Sequence, residues 1–254
     1  MNGVDGTANA TARGGPARGD HPYYPVFLDL AGRRVVVVGG GEAAAGRVEK
    51  LREAGAHVTV IAPSLDDPDL ARLAADGRIE HLARDFAPGD LEGARLVVTE
   101  RLDRATAAAV YAEAERRGVF CCVEDDLDHL SYLHPSVVRR GALTVAISTA
   151  GAAPVLAVRL RQELEARLGS AHARFLELAA AVRRPLALRT PDFATRRRRW
   201  YRLIDSDVIE LLAAGEEEAA VGRFVELLGV APVGTQRPSG ASPDASSLAG
   251  LERR

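Results

Sequence analysis

Residues 33–63 read RRVVVVGGGEAAAGRVEKLREAGAHVTVIAP, and this stretch decides the fold. Val35 to Val38 is a continuous β-branched run, the pattern of a strand buried on both faces of a parallel sheet. Three glycines follow. An Ala-rich stretch then predicts a helix from about Glu42 to Glu53, closed by Gly55. His57 to Ile61 predicts a second strand, stopped at Pro63. Strand, glycine turn, helix, strand is a βαβ unit, whose crossover is right-handed.

Within that unit, Gly39-Gly40-Gly41-Glu42-Ala43-Ala44 fits the G-x-G-x-x-G/A fingerprint. The first glycine makes the tight turn, the second lets the backbone approach a pyrophosphate, and small Ala44 permits close helix–strand packing. The pyrophosphate would rest on the free N–H groups at the helix start. The motif alone says little, but a preceding strand and a following helix are the context it requires. The plain alternative is a set of glycines that merely turns a strand into a helix. Gly39, Gly40, Gly41, Glu42 and Ala43 are thus expected to line a dinucleotide site, joined by Pro63, Ser64 and Thr99 at later strand ends. The usual ribose-binding acid about 20 residues on is missing from Ile61-Ala62-Pro63-Ser64. No arginine stands there for a 2′-phosphate, so NAD is favoured over NADP.

Outward from this unit the alternation continues. A helix is expected over Pro68 to Asp76 and strands over Ile79 to Leu82 and Leu96 to Thr99. A helix over Ala105 to Arg117 and a strand over Val119 to Val123 follow. This rhythm predicts an open parallel sheet with helices on both faces. Leu127 to Ser136 reads as irregular, Leu143 to Ser148 as a strand, and Pro154 opens a helix to about Leu168. Ser170 to Leu228 is helical throughout, with breaks expected near Pro185, Pro191 and Gly215. Domain boundaries are placed between Pro135 and Gly141 and near Gly169, giving segments 23–137, 138–169 and 170–232.

Of the 254 residues, 47% are hydrophobic and 27% charged, as in an ordinary globular protein. A formal net charge of −2 gives no global footprint for nucleic acid or an anionic membrane. Cys121 and Cys122 are adjacent, so on a strand they face opposite ways and make neither a disulfide nor a metal clamp. With no cysteine framework, no apolar run long enough to span a bilayer and no secretory leader, a cytoplasmic location is expected. Residues 1–22 and 233–254 are rich in small and polar residues and read as flexible tails.

Three further segments carry a family resemblance. YYPVFLDLAGRRVVVVGGGEAAAGRVEKL, GVFCCVEDDLDHLSYLHPSVVRRGALTVAISTAGAAPVLAVRLRQELE and RRRRWYRLIDSDVIELL occur in order between Tyr23 and about Leu228. Together they resemble the precorrin-2 dehydrogenase/sirohydrochlorin ferrochelatase module of siroheme synthases. The resemblance implies NAD-dependent oxidation of precorrin-2 to sirohydrochlorin, with Fe²⁺ insertion at the same site in bifunctional members. It also implies a homodimer built through the middle segment. The expected architecture is therefore α/β: a Rossmann-type open parallel sheet, then a small α+β dimerisation domain, then a helical domain. A dehydrogenase-only member and a non-catalytic dinucleotide-sensing module are the competing readings.

The family's catalytic aspartate falls on Asp125, at the end of FCCVED. Read from the residues alone, with Asp126 and Asp128 beside it, this is a solvated turn acid. With the resemblance it becomes the base that takes a proton as hydride leaves, and a transient ligand for the entering metal. His129 and His134 flank the loop without ligand spacing. Ser148-Thr149-Ala150-Gly151-Ala152-Ala153-Pro154 resembles the family's Ser-Thr-Gly-Gly-x-Ser-Pro turn, and Thr149 falls where some members carry a phosphorylated serine. Thr149 and Gly151 are implied to touch the substrate, whose eight carboxylates also call for arginines, Arg140 and Arg161 among them. The Arg196–Arg199 run reads first as a solvated helix face. Four departures bear on chelation and substrate. Thr99-Glu100-Arg101-Leu102-Asp103 stands for Ala-Thr-x-Asp, Cys122 for an asparagine, Ala150 for a glycine and Ala153 for a serine.

Overall fold

The computed structural model describes residues 22–126 and 128–232. The expected tails lie outside the described residues, residue 22 excepted. By packing, the chain divides into two units. One comprises the residues up to His134 together with Ser148–Ala153; the other comprises Pro135–Ile147 and the residues from Pro154 on.

The first unit runs β1 (Arg34–Val38), α1 (Glu42–Glu53), β2 (His57–Ile61), α2 (Pro68–Ala75), β3 (Glu80–Leu82), β4 (Ala94–Thr99), α3 (Arg104–Arg117) and β5 (Phe120–Cys122). The strands form one parallel sheet in the order β3-β2-β1-β4-β5. β1 lies at its centre, which is why Val35 to Val38 are all buried. Alternate side chains of each strand point to opposite faces. Val35, Val37, Val58, Val60, Leu96 and Val98 pack with α1 and α2; Val36, Val38, Ile61 and Val97 pack with α3. Each fully buried Val or Leu contributes roughly 1.5–3 kcal/mol. Strand order reverses between β1 and β4, so a crevice opens at the carboxyl ends of these two strands.

The helix starts differ in a way that matters for the site. Asp67 caps α2 by accepting from Asp69 and Leu70 N–H, and Asp103 caps α3 by accepting from Ala105 and Thr106 N–H. The N-cap of α1 is Gly41, which has no side chain to offer. Its amino end faces the crevice.

The second unit pairs β6 (Ser136–Arg140) antiparallel with β7 (Leu143–Ile147), followed by α4 (Pro154–Arg167), α5 (Ser170–Arg189), α6 (Phe193–Ile204), α7 (Val208–Ala214) and α8 (Glu217–Leu228). Phe175, Leu178, Leu203, Phe224 and Leu228 form its core. β6 falls partly in a stretch read as irregular, because a strand of a two-stranded ribbon carries little apolar alternation. Such a ribbon is marginal alone, and Pro135–Ile147 groups with the residues from Pro154 on. The break expected at Pro185 does not occur. α5 runs through it, its apolar face held by buried Leu178, Val182 and Leu186, so packing outweighs the lost backbone hydrogen bond. A break not expected separates α6 from α7, where the Ser206 hydroxyl donates to Leu203 O at 2.7 Å. Among the described residues no helix is long and apolar enough to cross a membrane.

Candidate dinucleotide site

The glycine turn is built by close approach. Gly39 leaves β1 at φ +131°, where an L side chain is strained, and its N–H donates to Ile61 O at 3.0 Å. A Cβ on Gly40 would lie 2.1 Å from Ser64 O. The carbonyl of Gly40 accepts from Asp66 N–H at 2.9 Å and Asp67 N–H at 3.2 Å. The loop after β2, with Pro63 and Ser64 exposed on it, is thereby clamped to the turn. Only glycine fits there.

The amino end of α1 already holds an anion. Glu100, the residue after β4, accepts from Gly41 N–H through Oε2 at 3.2 Å and from Ala44 N–H through Oε1 at 3.0 Å. Its carboxyl also covers the bare faces of Gly39 and Gly41. Among the described residues, the N–H groups of Glu42 and Ala43 have no protein acceptor. The donors are therefore placed for a negative group, as a diphosphate requires. Thr99 differs from expectation: it is fully buried, and its hydroxyl donates to Glu100 O at 2.6 Å. It shapes the turn and offers no side chain to a ligand.

Two residues escaped the sequence reading. Glu100 was noted as a departure, but nothing in one sequence says which way its side chain turns. Asp66 lies two residues past the Ile61-Ala62-Pro63-Ser64 stretch where a ribose-binding acid was sought. Its amide is bonded to the glycine turn, and its carboxylate is exposed and accepts from the Ser64 hydroxyl at 2.7 Å.

Asp125 follows β5 at the same edge of the sheet, in the left-handed region at φ +59°. This is a costly conformation for a residue with a Cβ. Its exposed carboxylate is ion-paired with Arg101, and that contact raises the guanidinium pKa further. Arg47 bridges α1 to Glu124 at 2.7 Å, with both side chains largely covered. Asp126 accepts from or pairs with His129 Nδ1 at 2.6 Å, which holds its carboxyl below the usual range. His134 contacts the Tyr132 hydroxyl at 3.1 Å. Cys121 and Cys122 are both buried, and burial pushes the Cys122 thiol up. Among the described residues no group of three or more His, Cys, Asp or Glu is arranged to hold a metal ion.

Three family models match the chain in sequence. They are a putative NAD(P)-binding model over residues 26–136, a sirohaem biosynthesis central model over 140–167 and a sirohaem synthase dimerisation model over 171–228. Over these three regions the chain is similar to siroheme synthases. Siroheme synthase 3 of Aeromonas hydrophila is 42% identical over 199 residues, 78% of this chain and 42% of that protein. Siroheme synthase of Gluconacetobacter diazotrophicus is 40% identical over 222 residues, 85% of this chain and 46% of the relative. The chain thus spans less than half the length of these curated relatives. The solved structure of SirC, a precorrin-2 dehydrogenase, shares the fold with a TM-score of 0.67 at 22% identity, covering 82% of this chain and all of SirC.

The remaining residues singled out by the siroheme-synthase resemblance divide. Thr149 and Gly151 lie in the exposed turn Ser148–Ala153, which groups with the sheet unit. The Thr149 hydroxyl accepts from Ala153 N–H at 3.3 Å. Arg140 and Arg161 do not present free guanidinium groups. Arg140 donates to Leu168 O at 2.8 Å and Glu165 O at 3.3 Å, closing the last turn of α4. Arg161 is bonded to both oxygens of Glu165 at 2.7 and 2.8 Å. Both guanidinium groups are thus bonded locally, Arg140 at the end of α4 and Arg161 at i,i+4 to a glutamate.

Ala150 has φ +54°, so the family's glycine is replaced where glycine is favoured. Left-handed backbone costs a non-glycine residue roughly 1–2 kcal/mol. Ala150→Gly is expected to stabilise the protein by about 1 kcal/mol after the added unfolded-state entropy. Chemical denaturation checks this; a lower midpoint in the variant refutes it.

Proposed function

We propose that the chain catalyses NAD-dependent oxidation of precorrin-2 to sirohydrochlorin. The observation that carries this reading is the glycine turn. Its amides, two of them bonded to the Glu100 carboxylate, face a crevice at the switch point of a parallel sheet, with Asp125 after β5, two strands along. A crevice at the carboxyl ends of such strands is where ligands bind. The siroheme-synthase relatives and the fold of SirC support the pathway and the oxidative role.

When bound, the nicotinamide supplies a hydride acceptor. The chain's own residues do the rest. The amino end of α1 holds the diphosphate, and Asp66 accepts from the ribose hydroxyls. Asp125 takes the proton that leaves the macrocycle as the hydride departs. Arg101 holds the Asp125 carboxylate in place until substrate arrives. Thr149 and Gly151 border the macrocycle. The helix α4 buries only Ala157 and leaves Val155, Leu156, Val158 and Leu160 exposed, an apolar surface that a second copy of the chain would cover in a homodimer.

Iron insertion is a separate matter. A guanidinium on Asp125 opposes a cation at the same carboxylate, and this favours a dehydrogenase-only protein. Purified protein given precorrin-2 and NAD⁺ without oxygen is expected to produce NADH and sirohydrochlorin. No NADH would remove the dehydrogenase reading. Siroheme formed on adding Fe²⁺ would remove the dehydrogenase-only one.

A further inference from the structure

We infer that Glu100 is a self-ligand of the dinucleotide site, which NAD⁺ must displace in order to bind. This rests on the dinucleotide reading above. It adds a residue that sets affinity by competition.

Glu100 satisfies the one helix start in the sheet unit that has no adjacent side-chain cap. α2 and α3 are each capped by an aspartate immediately before them, while α1 draws its acceptor from a residue 56 positions away from Ala44. The two carboxylate oxygens engage two different amides, Gly41 and Ala44, as two oxygens of one phosphate would. The occupied volume is also the one that the fingerprint reserves. A Cβ at Gly39 would lie 2.7 Å from Glu100 Cγ, and a Cβ at Gly41 would lie 2.9 Å from Glu100 Oε1. The bare glycine faces are covered by this carboxyl. A diphosphate cannot share that space, and two anions cannot share the same donors.

Displacement is feasible. Glu100 is part-exposed at the end of β4, and its backbone stays anchored by the bond from its N–H to Val38 O at 2.9 Å. Only the side chain has to rotate outward. The neighbouring Arg101 already points its charge to Asp125, so its guanidinium does not hold Glu100 over the helix start. The cost of vacating two charge-assisted bonds is subtracted from the affinity for the nucleotide.

The test is calorimetric titration of the full chain with NAD⁺, comparing wild type, Glu100→Ala and Glu100→Gln. Glu100→Ala is expected to bind NAD⁺ about tenfold tighter, since one decade corresponds to about 1.4 kcal/mol. Glu100→Gln keeps an acceptor over the helix start, guarding against a folding defect, and should bind several-fold tighter through loss of the charge. Pyrophosphate alone should show the same order. Equal or weaker NAD⁺ binding in both variants overturns the self-ligand while leaving the dinucleotide reading intact. No NAD⁺ binding by any of the three proteins overturns that reading and this inference with it.

Discussion

Asp125→Asn is expected to lower turnover of precorrin-2 by at least about 100-fold while leaving NAD⁺ affinity within about twofold of wild type. A positioned general base contributes roughly 10²–10⁴ in rate, and asparagine removes the base while nearly preserving shape. The side chain is exposed and ion-paired only to Arg101, so the substitution removes no buried contact. Asparagine also tolerates the left-handed backbone at φ +59° better than most residues. Loss of activity from misfolding is therefore not expected, and an unchanged melting temperature would establish that. The nucleotide amides belong to Gly41 and Ala44, on a different strand-to-helix turn. Single-turnover measurement of NADH formation together with NAD⁺ titration separates the two effects. Turnover near wild type would reject Asp125 as the base, and a matching loss of NAD⁺ binding would make it a cofactor residue instead.

How much of this was legible in the sequence depends on whether a residue's partner is local. The central strand was legible because four consecutive β-branched residues satisfy only a strand buried on both faces, and Val35 to Val38 are buried so. The glycine turn was legible because each glycine answers a local steric demand. At Gly40 that demand proved to be the carbonyl of Ser64, in a loop the sequence could place after β2 but not against the turn. The local partners of Arg140 and Arg161 were not legible, since an arginine that meets a ligand looks the same in sequence as one bonded to a helix end or a nearby glutamate. Only the distances to Leu168 O and Glu165 decide. Glu100 was visible as a departure but its meaning was not, because its partners are 56 and 59 residues away in sequence. Pro185 shows the opposite failure, a strong local rule overridden by a buried helix face.

The largest stability effect is expected at Glu113, remote from the crevice. Its side chain, on α3, is almost wholly buried at 2% exposure. One carboxylate accepts from Gly89 N–H at 2.9 Å, Leu91 N–H at 3.2 Å and Arg117 Nε at 2.8 Å. These bonds fix the turn that feeds β4, where Leu91 is fully buried against Val36 and Val97. Removing one partner of a buried charged network costs roughly 3–5 kcal/mol, because the other members are left unsatisfied. Glu113→Ala removes the acceptor of two backbone donors at once, the Leu91 N–H being buried, and it opens a void beside Leu91. A loss of about 3–5 kcal/mol follows, and with it a fall in melting temperature of about 10 °C. Arg117→Ala should cost much less, since Arg117 is itself 36% exposed and the carboxylate keeps its two backbone donors. The turn held by Glu113 precedes β4, whereas the dinucleotide amides lie beyond the carboxyl end of β1. NAD⁺ affinity measured well below the melting temperature should therefore be unchanged in Glu113→Ala. Melting within about 2 °C of wild type would show that the bonds are dispensable, and a selective loss of nucleotide binding would show that the two ends of the sheet are coupled.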